Sequence, residues 1–121
     1  MSKKSKILFN HNDIKSTMNL IDVINLVSSS HKQDAEYELT SLILNKLTSG
    51  NRYLTKEQMY DMYMRNRDKI SKASYYRILT RLIDRGMVIF DEESQKYQVS
   101  ILFSNALQKI AIAWEKITLE E

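Results

Sequence analysis

The 121-residue chain has no cysteine and no proline, and only two glycines and two histidines. Without cysteine there are no disulfides, no thiolate zinc sites and no cysteine nucleophile. Gly50 and Gly86 alone cannot build a glycine-rich phosphate cradle, and His11 and His31 leave little material for a histidine-based active site. The lack of proline permits uninterrupted helices. No apolar run approaches the roughly 18 residues of a membrane span. Lys3, Lys4 and Lys6 are followed only by Ile7-Leu8-Phe9 before polar residues resume, too short a run for a secretory signal. The expectation is a soluble, cytoplasmic protein with no membrane contact.

What is present is ordinary for a globular chain: 43% hydrophobic and 27% charged residues, which argues against disorder. The length suits one domain, or one domain with a dimerisation arm, burying roughly two-thirds of its unfolded surface. The net charge is +3, unevenly spread. Residues 52–85 hold nine Lys/Arg against four Asp/Glu, whereas residues 86–121 hold three against six. A basic middle beside an acidic end suggests a localised anion-binding surface. The competing reading is a solvated helical face.

The period of the apolar residues sets the elements. Residues 1–12 read as a flexible basic arm. A helix over 13–30 is capped by Asp13. It carries Met18, Ile21 and Ile24, with Leu20, Val23 and Val27 beside them, and is broken by Ser28-Ser29-Ser30. A second helix runs from Lys32 to Ser49 with Leu39, Leu42, Ile43, Lys46 and Leu47 on one face, and Gly50 stops it. Arg52-Tyr53-Leu54 is a short extended piece. Thr55 and Gln58 form a capping box. It opens a third helix through Arg67, with Met59, Met62 and Tyr63 inward. Ser71 caps a fourth helix, Lys72 to Arg85, which Gly86 ends. Met87 to Phe90 and Tyr97 to Ser100 read as strands around the polar loop Asp91 to Lys96. A last helix runs from Leu102 to Thr118.

Residues 70–90 read Ile-Ser-Lys-Ala-Ser-Tyr-Tyr-Arg-Ile-Leu-Thr-Arg-Leu-Ile-Asp-Arg-Gly-Met-Val-Ile-Phe. Ser71, Ala73, Ser74, Tyr75, Tyr76-Arg77, Leu79, Leu82, Gly86 and Met87-Val88-Ile89 carry a pattern of cap, small residue, apolar stripe, glycine and strand. This resembles the recognition helix and first wing strand of winged helix-turn-helix DNA-binding proteins. The resemblance covers about residues 31–100 and identifies a superfamily rather than a family. It implies a mainly α fold with a small β-hairpin, with additional N- and C-terminal helices outside the winged domain. It also implies double-stranded DNA as partner and a nucleoid-associated location.

Spacing alone divides the fourth helix the same way. Tyr75, Leu79 and Leu82 fall at i, i+4 and i+7, with Ile78 widening the stripe. Ser71, Lys72, Ser74, Tyr76, Arg77 and Arg81 then lie mainly on the other face. Arg offers bidentate hydrogen bonds to guanine, and Ser, Tyr and Lys offer donors to phosphate. Arg52, Lys56, Arg65, Arg67, Lys69 and Lys96 are candidate backbone contacts, since the first helix of a helix-turn-helix crosses the duplex backbone. Solvated helix surface, or cations suited to a helix C-terminus, is the plain alternative. Tyr76 is a closer choice, because a tyrosine beside a core position often covers the core edge.

The hairpin tip departs from the pattern. Asp91, Glu92 and Glu93 would be repelled by phosphate, so a tight grip by this wing is not expected. Pairing of His11 with Asp13, or of His31 with Asp34, falls short of the three or four ligands that a metal site needs. No spacing singles out a nucleophile with its base. An enzyme is not expected and no metal or cofactor is implied.

Phe103, Leu107, Ile110, Trp114 and Ile117 step by 4, 3, 4 and 3 residues, an a/d seam flanked by Ala106 and Ala113. Two heptads are too short to stand alone, and the N-terminal helix is the natural companion, within the chain or across a dimer. Residues 13–30 and 101–121 are thus candidate dimerisation elements around the winged domain. Two-fold symmetry would set two recognition helices on a palindrome. The expectation is a sequence-specific, dimeric DNA-binding protein of transcription regulation. Rival readings are a role in plasmid or chromosome segregation or replication control, and a protein-interaction module docking through the outer helices or the acidic tip. A small-molecule pocket lined by Trp114 and the methionines is a further alternative, against the simpler view that they are core.

Overall fold

The computed structural model describes residues 11–27 and 35–120. A 3-10 turn, His11–Asp13, precedes α1 (Leu20–Val27) and α2 (Ala35–Leu47). Then follow β1 (Leu54–Thr55), α3 (Lys56–Arg65), α4 (Lys72–Asp84), β2 (Val88–Asp91), β3 (Lys96–Val99) and α5 (Leu102–Leu119). The protein is mainly helical with a small three-stranded antiparallel sheet.

Each boundary has a local cause. The expected helix over 13–30 begins only at Leu20, because Asn19, not Asp13, caps it. The Asp22 amide donates to Asn19 Oδ1 at 2.9 Å and the Asn19 amide donates to Asp22 Oδ2 at 3.3 Å, two orphan donors satisfied reciprocally. Ser28-Ser29-Ser30 and the expected start of the second helix lie outside the described residues. The left-handed Gly50 (φ +58°) follows α2. Arg52 was expected in an extended piece but is itself left-handed (φ 64°). Its guanidinium donates to the Thr48 carbonyl at 2.9 Å, which satisfies a helix-end acceptor.

The capping box at α3 forms as the spacing requires. The Gln58 amide donates to Thr55 Oγ1 at 3.1 Å and the Thr55 amide to Gln58 Oε1 at 2.9 Å. The helix stops at Arg65, two residues early, where the Asn66 side chain donates to the Met62 carbonyl at 2.7 Å. Ser71 Oγ accepts the Ser74 amide at 3.1 Å to start α4. At its end the Met87 amide donates to the Leu82 carbonyl and the Gly86 amide to the Ile83 carbonyl, a Schellman closure.

Beyond that closure the chain turns to period two. Val88 faces Val99, Phe90 faces Tyr97 and Asp91 faces Lys96. The expected hairpin gains a third strand: β1 pairs with the other edge of β3, Leu54 opposite Tyr97. Phe90 and Tyr97 touch across the strands, ring centroids 4.7 Å apart.

The core lies between α2, α3, α4 and the sheet, and α1 closes one side of it. Ile43, Leu47, Met59, Tyr75, Leu82 and Val88 are essentially inaccessible. Leu44 joins them, whereas Lys46, expected on the apolar face, is exposed. Ile24 of α1 is completely buried, with Leu20 and Val23 packed beside it. The N-terminal helix therefore docks on α2, while α5 is exposed from Ser104 to Glu120. Thr40, buried in α2, donates its hydroxyl to the Glu36 carbonyl at 2.8 Å.

Two groups fix the relation of α4 to its neighbours. The Tyr75 hydroxyl donates to the Met59 carbonyl of α3 at 2.7 Å. Gly86 (φ +80°) sits so close to α5 that an added Cβ would lie 2.9 Å from Leu102 Cβ and from the Phe103 amide nitrogen. Both predict measurable losses. Tyr75→Phe should lower stability by about 1 kcal/mol, the net worth of one buried hydrogen bond, in urea unfolding. Gly86→Ala should cost more, about 2–4 kcal/mol, because backbone strain and a backbone clash coincide.

Burial pushes the Tyr75 phenol far above its ordinary value of 10.0, with Tyr76 and Tyr97 adding to the shift. A raised folded-state value means that this contribution is complete below pH 10 and is lost as pH rises beyond it. Alkaline unfolding of the parent should therefore set in above pH 10, and Tyr75→Phe should soften that pH dependence.

Candidate nucleic-acid interface

The buried stripe of α4 (Tyr75, Ile78, Leu79, Leu82) turns the opposite side of the helix to solvent. Ala73, Arg77, Thr80 and Asp84 run along that side, and all are exposed. They recur at three- and four-residue steps, which places them on one line. Arg77 is central to it. Among the described residues it makes no ion pair, so its fork of donors is uncommitted. Sequence reading named Arg77 for this face and Ala73 only as part of the pattern; it missed Thr80 and Asp84, although their offsets of three and seven residues from Arg77 carry the same signal.

The other named residues of α4 are placed differently. Ser71 spends its acceptor on the cap, and Ser74 is half-buried. Lys72 leans toward α3, its Nζ 5.5 Å from the centre of the Tyr60 ring. Arg81, exposed on the flank, pairs with Glu36 of α2 at 3.3 Å, the one ion pair among the described residues. Tyr76 is half-buried against the core and meets the Tyr75 ring edge-on at 5.1 Å. Burial raises its phenol above the ordinary value, with Tyr97 and Tyr60 adding to the effect. Tyr76 thus covers the core edge. Arg85, not singled out by the sequence, is half-buried beside Arg81; burial, and then that neighbouring charge, lower its pKa.

The candidate backbone contacts fall in two groups. Arg65, Arg67 and Lys69 are exposed around the turn that leads into α4. Arg67 has only a weak contact, 3.9 Å to Met64 Sδ. Asp68 is exposed in the same turn, and of the first amides of α4, which have no partner within the helix, that of Ser74 is taken by Ser71 Oγ. Lys56 and Lys96 form the second group, at the sheet. Lys56 Nζ lies 5.1 Å from the centre of the Phe90 ring and Lys96 Nζ 4.1 Å from that of Tyr53. Lys56 directly follows Thr55 of β1, which pairs with Lys96 of β3. Arg52 stands apart from both groups in its helix-capping role.

At the hairpin tip the three acids are not equivalent. Asp91 Oδ1 accepts the Glu93 amide at 3.2 Å and Oδ2 accepts the Ser94 hydroxyl at 2.8 Å. Gln95 closes the turn in a left-handed conformation (φ 58°), its amide donating to the Asp91 carbonyl at 2.7 Å. Asp91 is a turn-former, and Glu92 and Glu93 alone present charge to solvent.

Among the described residues no group of three or more His, Asp or Glu is placed to hold a metal ion. The pair of His31 with Asp34 lies outside them. No helix among them is long and apolar enough to cross a membrane.

The seam of α5 divides. Phe103 is half-buried and packs on the domain core. Leu107, Ile110, Trp114 and Ile117 are 50–65% exposed. Every residue from Ser104 to Glu120 is exposed, so Trp114 lines no internal pocket.

Residues 12–120 match an archaeal family. No curated protein and no solved structure matches the chain.

The tip geometry predicts a split among its acids. Asp91→Ala should destabilise the domain by about 1 kcal/mol through its lost hydrogen bonds. Glu92→Gln with Glu93→Gln should leave stability within about 0.5 kcal/mol. Urea midpoints of the variants would test this.

Proposed function

The chain belongs to that archaeal family, and we propose that it is a winged helix-turn-helix protein that binds double-stranded DNA as a homodimer and regulates transcription. The observation that carries this reading is the outer face of α4. Arg77 stands there without an acidic partner, between the small Ala73 and the hydroxyl of Thr80, and the Arg65–Lys69 turn supplies cations at the helix start. A guanidinium so placed can take the two acceptors of a guanine edge in the major groove. The small neighbour lets the helix approach the base pairs. Arg65, Arg67 and Lys69 then fall beside phosphates, as does Lys72 if it leaves Tyr60.

The element order supports the same reading. Helix α2, strand β1, helices α3 and α4, and the β2–β3 hairpin follow in the sequence expected of a winged domain, with β1 completing the sheet. The wing makes a modest contribution in this view. Lys56 and Lys96 can reach phosphate from the sheet, while Glu92 and Glu93 keep the tip from closing on the duplex. Arg81 stays with Glu36 and steadies α4 rather than reading bases.

One observation favours a second reading. The exposed apolar side of α5 and the acidic tip also suit a protein-interaction module. Titration against random duplex DNA over a salt series separates the two. A DNA-binding domain loses affinity steeply with salt, whereas an interaction module shows no salt-sensitive binding. Once a preferred site is selected, Arg77→Ala should lower affinity for it by about 1–3 kcal/mol and leave random-duplex affinity nearly unchanged. Arg67→Ala should weaken both and reduce the salt slope by about 1. Equal losses on both duplexes for Arg77→Ala would demote it to a phosphate contact. Neutralising Glu92 and Glu93 together should strengthen non-specific binding.

A further inference from the structure

We propose that Arg81 and Arg85, one turn apart on the flank of α4 next to α2, hold a single phosphate group between their guanidinium forks. The site stands on its own geometry; that its phosphate belongs to a duplex backbone rests on the DNA binding proposed above.

Four residues turn an α-helix by about 400° and raise it by about 6 Å. Arg77, Arg81 and Arg85 therefore drift round α4 by about 40° at each step. Arg77 stands on the outer line, Arg81 on the shoulder where α4 meets Glu36 of α2, and Arg85 further round and half-buried. Side chains four residues apart are neighbours on a helix surface, so the forks of Arg81 and Arg85 stand side by side. Each guanidinium carries five N–H donors. Arg81 commits one nitrogen to Glu36 Oε1, at 3.3 Å, which is long for a charge-assisted bond. Arg85 commits none: among the described residues its side chain has no hydrogen bond and no ion pair. Two cations thus share one carboxylate, and one positive charge is left in excess.

The ordinary partners of an arginine at this position are missing. Asp84, adjacent in sequence, lies about 100° round the helix on the outer line, and it forms no ion pair among the described residues. A cation suits the C-terminal end of a helix, yet the Arg85 fork donates to no carbonyl there; only its backbone amide does, to Arg81 and Ile83. Arg85 gives up hydration beside a like charge, and burial and then Arg81 lower its pKa. Buried charges are paired in folded proteins, and here folding withdraws water without supplying the partner. A phosphate group carries the missing charge and has oxygens enough to take parallel N–H bonds from both planar forks. Both residues are arginine, the side chain whose fork matches phosphate, whereas Lys56, Lys72 and Lys96 lie over rings elsewhere. With Arg77 turned to the base edges of a groove, residues on the shoulder of the helix are turned to its wall, which is backbone.

Thermal unfolding of the full chain tests the site without nucleic acid. The chain would be melted at pH 7 in rising sodium phosphate, with sodium chloride at matched ionic strength as reference. Phosphate also stabilises proteins by exclusion from their surface, an effect that grows in proportion to concentration. A bound phosphate instead acts most steeply at low concentration and then logarithmically. At ten times its dissociation constant, the melting temperature of the parent should stand about 4–8 °C above the chloride reference. Arg85→Gln and Arg81→Gln should each lose the steep low-concentration rise. Arg85→Lys, which keeps the charge without the fork, should retain only part of it. Each variant is read against its own chloride reference, so a change in its basal stability does not enter. An equal rise in the parent and Arg85→Gln, or no rise in the parent beyond exclusion, would overturn the site.

Random duplex titrated over a salt series then identifies the source of the phosphate. A slope lowered by about 1 in Arg85→Gln assigns it to the duplex backbone. An unchanged slope beside a lost phosphate effect assigns it to a small phosphorylated ligand and overturns the backbone contact alone. A parent stabilised by phosphate that binds no duplex would uphold the site and remove the DNA reading.

Discussion

Tyr75 holds α4 to α3 through one bond, and the outer face of α4 depends on it. The hydroxyl reaches the Met59 carbonyl at 2.7 Å inside the core. A carbonyl has two lone pairs, so this one can accept the bond without surrendering its place in the helical ladder. The ring itself fills the space between the helices, and Tyr63 and Tyr76 lie against it. With Tyr75, Ile78, Leu79 and Leu82 pinned inward, the rotation of α4 about its axis is settled. Arg77 and Thr80 then have nowhere to face but solvent. The function proposed for that face is thus a consequence of how the inner face is held.

Much of this was legible in the residues. The Thr55–Gln58 box, the Ser71 cap and the Gly86 stop are short-range chemistry, and each formed where its spacing placed it. The apolar stripe of α4 needed only its period. Other features depended on what no local pattern states. Asn19 and Asp13 are both good caps, and the choice between them follows from where Ile24 can reach the core. The short strand expected at Arg52-Tyr53-Leu54 falls instead at Leu54–Thr55, where β3 offers a free edge. The outward face of α4 was only partly legible, since Lys72, Tyr76 and Arg81 are drawn aside by Tyr60, by the core and by Glu36. Those are tertiary contacts between segments far apart in sequence.

Charge on this protein is held in place more by aromatic rings than by acids. Lys56, Lys72 and Lys96 each lie over a ring, and Arg81 alone among the described residues meets a carboxylate. A cation over a ring keeps its full charge and most of its hydration, whereas one in an ion pair is locally neutralised. The basic middle of the chain therefore remains an electrostatic surface after folding. The acidic tip is set off from it by a turn that consumes Asp91 and leaves Glu92 and Glu93 outward.

Gly86 ends α4 and seats the first turn of α5 with no room for a methyl group. The two helices consequently behave as arms of one rigid elbow. The direction in which α5 leaves the domain is therefore decided where α4 ends, and any side chain at position 86 would have to push one helix away from the other.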